Sequence, residues 1–153
     1  MLTESIGSKL RSPYKKLGKY ILLPRIIDKV RLHAQGLPPA AYHNNLLKGG
    51  FTLDGQFLAW TGLDGSQLRK AILTSECDDA VLAWVESASV EKTEMEHEQW
   101  AKTLRTYRLS QMLARRFRTQ YPEIPSHVDL TTVSLFDLID MDEGRLAFPA
   151  NVQ

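Results

Sequence analysis

Two motifs near opposite ends of the chain set unlike charges into apolar helical frames: Leu23-Pro24-Arg25-Ile26-Ile27-Asp28-Lys29-Val30-Arg31 and Phe136-Asp137-Leu138-Ile139-Asp140-Met141-Asp142-Glu143-Gly144-Arg145. Charges held that close to a core need partners, because an ion taken out of water without one is costly. The net charge is divided in the same way. Residues 1–36 carry eight Lys/Arg against Glu4 and Asp28, a net +6, while residues 126–153 carry five Asp/Glu against Arg145, a net −4. We therefore expect the two motifs to lie side by side; the plainer alternative is two solvated ends, well apart.

At 153 residues, 43% hydrophobic and 24% charged, the chain has the composition of a globular protein and the length of one domain spanning 1–153. No apolar run approaches the ~20 residues of a membrane span, and the first residues lack the regions of a secretory signal. The expected location is the cytoplasm. Cys77 is the only cysteine, so there is neither an internal disulfide nor a thiolate cluster, and its neighbours Glu76, Asp78 and Asp79 do not suit a nucleophilic thiolate.

Periodicity and punctuation predict an all-α fold of about six helices. Ser12-Pro13 reads as the start of a short helix through Tyr20, and Pro24 opens a better one with Ile26, Ile27, Val30, Ala34 and Leu37 on one face. From Leu37 to Leu53 the pattern is irregular, with a brief extended pairing around Leu46 and Phe51 conceivable. Three short helices follow, capped by Asp54, by Asp64, and by Ser75 or Asp78. Glu91 to Tyr121 reads as one long helix, acidic at its start and basic at its end, as the helix dipole favours. Ser134 to Asp137 resembles a capping box opening a last helix to Gly144. Trp60, Trp84 and Trp100 all fall at helical spacing and are expected in the core.

Candidate sites follow from the charged motifs. Arg25, Lys29 and His33 share one edge of a helix at i, i+4 and i+8, with Asp28 between Arg25 and Arg31, a row able to bind phosphate or carboxylate. Asp137, Asp140, Asp142, Glu143 and Arg145 form the opposing cluster. Its spacing does not match a calcium loop, and His33, His43, His97 and His127 have no zinc spacing, so no metal is expected. Glu94 to His97 supplies one Glu-x-x-His where a di-iron bundle needs two. Phosphate-loop, dinucleotide and nucleophile-elbow motifs are absent, and no cofactor is expected. Arg105, Arg108, Arg115 and Arg116 would line one side of the long helix, but Met112 within that stripe and a pI near 7.9 speak against nucleic acid.

Together with Phe57-Leu58, Thr61-Gly62-Leu63, and Asp79 with Val81-Leu82-Ala83-Trp84, the two charged motifs resemble a bacterial family of uncharacterised proteins described only as a domain of unknown function. The resemblance runs from about Leu10 to Arg145. It implies a small single-domain cytoplasmic bacterial protein and carries no activity, cofactor or substrate. The chain departs from the family pattern between Leu104 and Met112, where the family is more aromatic and contains glycine. Two functions remain open. One is a binding or interaction module that recognises a small anionic ligand or a partner's acidic segment. The other is an enzyme acting on a small anionic substrate, with Asp137, Asp140, Asp142 or Glu143 as general base and Arg25 or Lys29 orienting the substrate. Oligomeric state is not legible, nor is whether the charged motifs form a site or a structural ion network.

Overall fold

The computed structural model describes residues 10–36, 46–47 and 52–151. Among these the chain opens with a two-stranded antiparallel hairpin, β1 (Lys16–Leu17) and β2 (Tyr20–Ile21), and not with the helix expected from Ser12-Pro13. Gly18 decides this. It sits first in a two-residue loop at φ 57°, the conformation that a tight hairpin requires and that glycine adopts without steric cost. Ser12 is left to donate its hydroxyl to Asp140 at 2.8 Å.

Leu22, at φ 76°, turns the chain directly from β2 into α1 (Leu23–Ala34), where Pro24 occupies the first turn as expected. Ile26, Ile27 and Val30 are fully buried, whereas Ala34 is exposed. Leu37 and Phe51, with the extended pairing considered there, lie outside the described residues.

Helix α2 (Leu53–Thr61) is capped by Thr52, whose side chain accepts from the Gly55 N–H at 2.9 Å. Asp54, expected as the cap, is instead the second residue of the helix and is buried. Gly62 closes α2 at φ 74°, and a Cβ there would come within 2.9 Å of Val90, so the position excludes a side chain twice over. Asp64 precedes α3 (Gly65–Thr74), which buries Leu68, Ala71 and Ile72 as expected. Cys77, rather than Ser75 or Asp78, stands at the N-cap of α4 (Asp78–Ala88), which buries Val81 and Val85.

The expected long helix is two helices. A capping box formed by Thr93 and Glu96 starts α5 (Glu94–Thr106), and Ser110 caps α6 (Gln111–Gln120) by accepting from the Leu113 N–H. Between them Tyr107–Ser110 is extended: Arg108 bridges Ser134, and Tyr107 O accepts from the Leu135 N–H at 2.9 Å. The break has a packing cause. Ala101 and Leu104 belong to the main core with α1, while Leu109 belongs to a second cluster with Ile124, Val128, Leu130 and Leu138, and one straight cylinder cannot serve both. The last helix, α7 (Leu135–Asp142), is capped by Ser134 through the Asp137 N–H, as its sequence predicts.

The result is a mostly helical domain of seven helices and one small hairpin among the described residues. None of these helices is long and apolar enough to cross a membrane. The tryptophans pack against the main cluster half-buried, with Trp60 and Trp100 stacked at 4.3 Å between ring centres. Phe57 and Phe136, not the tryptophans, are the fully buried aromatics of that cluster. Phe57→Ala should therefore cost about 3–5 kcal/mol of unfolding free energy in urea titration. Met112→Ala, on an exposed face, should stay within roughly 0.5 kcal/mol of wild type.

Candidate functional site

The two charged motifs meet. Arg25 donates from both terminal nitrogens to Glu143, at 2.8 and 2.5 Å, with the two side chains only 5% and 3% exposed. Such a fork-to-carboxylate pair has the geometry that offsets the desolvation of both ions. Arg145 adds donations to Glu143 at 2.7 Å and to Asp140 at 2.9 Å, and its second nitrogen reaches Leu10 O. Burial pushes the Glu143 carboxyl up, but Arg25 and Arg145 outweigh it and hold the group below its usual range.

The remaining predicted residues separate. Asp137 accepts from the Tyr14 hydroxyl at 2.6 Å, and Asp140 from Ser12 and Arg145. Asp28 pairs with Arg11 at 3.0 Å, and Arg11 and Arg31 both reach Asp78, forming a second network on another side of α1. His33 contacts Arg69 through Nδ1 at 3.2 Å. Lys29 donates to Asp54 at 2.7 Å, a partner the sequence reading had assigned to helix capping. Burial holds the Lys29 ammonium below its usual range despite that carboxylate. Because these carboxylates face different partners, no group of three or more His, Cys, Asp or Glu among the described residues is placed to hold a metal ion.

Arg25, Lys29, Asp142 and Glu143 converge on a cavity of about 360 Å³ between α1, α2, α6 and α7. The Arg25–Glu143 and Lys29–Asp54 pairs form its buried floor. Leu53, Leu109, Leu113, Phe117, Leu135 and Ile139 supply apolar walls, Thr52, Tyr107 and Tyr121 add polar groups, and the exposed Arg116 and Gln120 lie toward the surface. Sequence reasoning missed Asp54, Phe117 and Tyr121 here, and it placed Arg116 on a continuous helix that does not exist. The signal for α6 was present in Ser110, a helix cap inside the presumed long helix.

Asp142 is the exception within the acidic motif. It is the last residue of α7, half-buried, and no hydrogen bond or salt bridge holds it among the described residues. Burial, followed by the charges of Glu143 and Glu123, pushes its carboxyl up to about 6, with Arg25 pulling weakly the other way. Burial likewise pushes the Tyr121 hydroxyl up to about 12.

Residues 7–145 match the family described as a domain of unknown function, DUF5069. The chain belongs to that family. The match spans both charged motifs and every element of the DUF5069 fold described above, so the ion pairs and the cavity lie inside the family domain. No curated protein matches this DUF5069 chain.

Two outcomes test the electrostatics of the site. Glu143→Ala strands the buried Arg25 guanidinium and should cost about 3–5 kcal/mol, while Arg25→Leu combined with Glu143→Leu should recover most of that loss in the same denaturant titration. Asp142 acts with the opposite sign. A carboxyl whose folded value is raised stabilises the fold below its unfolded value of 3.8, and that contribution is lost as pH rises through about 6. Asp142→Asn should thus gain about 1 kcal/mol over wild type near neutral pH, after allowance for solvent screening, and nothing in strong acid. Paired thermal melts across this range read the difference.

Proposed function

We propose that this domain is a small-molecule binding module whose cavity takes an organic acid with an apolar body. The observation that carries this reading is the lining: two buried ion pairs open onto a 360 Å³ space walled by leucine, isoleucine and phenylalanine. A network serving structure alone would be covered by side chains, because charges beside a void lose both water and packing. That size falls at the lower end of small-molecule sites, which combine apolar walls with a few placed polar groups. A concave site of this kind favours a small ligand over a partner's acidic segment.

The anionic head follows from donor capacity. Arg25 is committed to Glu143, which removes it as a direct ligand group. Lys29 has three ammonium hydrogens and one hydrogen bond among the described residues, to Asp54, so donors remain for a carboxylate in the cavity. Arg116 is exposed near the mouth without an ion pair among the described residues and adds positive potential on the way in. With a single cysteine and this composition, we place the module in the cytoplasm.

One observation favours a second reading as an enzyme. Asp142 faces the cavity without a partner among the described residues, and a carboxyl raised to about 6 is suited to accept a proton near neutral pH. In that reading Asp142 is the general base and Lys29 orients the substrate's anion.

Thermal-shift titration separates these readings from a purely structural network. Hexanoate and 3-phenylpropanoate should raise the melting temperature of wild type, while inorganic phosphate and 3-phenylpropanol should do so less. Leu113→Trp, which fills the cavity, should remove the response. No shift with any acid, or an equal shift in Leu113→Trp, rejects the binding site. Incubation of a stabilising acid with the protein, followed by proton NMR, then decides between module and enzyme: unchanged ligand supports the module, and conversion that Asp142→Asn abolishes supports the enzyme.

A further inference from the structure

The charges of the cavity are of two kinds. Arg25 with Glu143 and Lys29 with Asp54 neutralise one another at 2.5 and 2.7 Å. Arg116 and Asp142 are not paired, either with each other or with any described residue. The cavity therefore presents a buried cationic point at the spare Lys29 donors, positive potential from Arg116 near its mouth, and a separate anionic point at Asp142. Resting on the small-acid reading above, we propose that the ligand is a zwitterion, an apolar amino acid whose carboxylate meets Lys29 and whose ammonium is taken by Asp142.

Charge balance within a small low-dielectric space is the argument. A simple organic acid would bring a further negative charge into a cavity already lined by Asp142, Glu143 and Asp54, leaving Asp142 to be neutralised by a proton. A simple amine would satisfy Asp142 but leave Lys29 and Arg116 without an anion. An α-amino acid matches both sides, and its side chain fills the space between Leu113, Phe117 and Ile139.

The surroundings of Asp142 fix the sign of the pH dependence. Glu143, adjoining it at the end of α7, and Glu123, beyond α6, add negative charge; Arg25 of α1 opposes them. Lys29, Asp54 and Tyr121 also line the cavity, but none of them is among the charges acting most strongly on Asp142, and neither is Arg116. An ammonium placed on Asp142 favours its ionised form, so binding an amino acid releases a proton and tightens as pH rises through about 6. A deaminated acid does the reverse: it brings a proton in and binds more tightly as pH falls.

Isothermal titration on the full chain, in two buffers of different ionisation heat, tests this. The ligands are L-leucine, L-phenylalanine, their deaminated counterparts 4-methylpentanoate and 3-phenylpropanoate, and phenethylamine, each titrated into wild type and Asp142→Asn. We expect each amino acid to bind wild type roughly tenfold or more tighter than its deaminated acid near pH 6, the scale of one charge-assisted contact, and to release more proton from wild type than from Asp142→Asn. In Asp142→Asn that preference should collapse. If the deaminated acid binds as tightly as the amino acid, if the amino acid takes up a proton, or if its preference over the deaminated acid persists in Asp142→Asn, the zwitterion proposal is overturned while the small-acid reading stands. Binding of phenethylamine alone, or of no ligand at all, overturns both.

Discussion

The buried contact between Arg25 and Glu143 is the constraint on which the rest of the structure depends. Arg25 directly precedes the fully buried Ile26 and Ile27 and is itself buried, so its guanidinium enters the core together with α1. Its counter-ion comes from the C-cap of α7, 118 residues away in sequence. Pairing them fixes the rotation of α7. Asp137 and Asp140 then turn toward Tyr14 and Ser12, and the end of the helix carries Asp142 toward the cavity. A bidentate contact suits this role because it sets angle as well as distance.

The cavity owes its existence to the interrupted helix. Helix α6 buries none of its residues fully; Leu113, Ala114 and Phe117 lean on the second cluster while the opposite face is solvated. Had α5 continued straight, those side chains would have followed the axis set by Ala101 and Leu104. The extended stretch from Tyr107 to Ser110, tied to Ser134 and Leu135 through the backbone, redirects the chain instead, so that α6 and α7 both line the cavity. Leu113 and Phe117 of α6 share that lining with the two buried ion pairs.

How much of this the sequence disclosed follows from how local each determinant is. Helices α1, α3 and α7 were legible because Pro24, Asp64 and Ser134 mark their starts and the apolar spacing runs unbroken behind them. The long helix was misread because no glycine or proline lies between Glu91 and Tyr121, and its break is imposed by two separate clusters. The hairpin at Gly18 lost to the stronger local signal of Ser12-Pro13. In the site, the mutual approach of the terminal motifs was readable from net charge, but the assignment of each ion was not. Asp54 looks like a helix cap until Lys29, 25 residues earlier, is seen against it. Four neighbouring carboxylates are equivalent in a sequence; only the orientation of α7 leaves Asp142 as the one of the four without a partner among the described residues.

The 118-residue span between Arg25 and Glu143 also shapes how the chain is made. At a synthesis rate of roughly 5–20 residues per second, α1 emerges from a ribosome on the order of ten seconds before its counter-ion exists. Throughout that interval Ile26, Ile27 and Val30 have part of their core, since α3 and α4 follow soon after, while Arg25 has no anion to enter the core with. Until then Arg25 keeps its water, its burial waits on Glu143, and the packing of α1 is completed only when the last helix arrives.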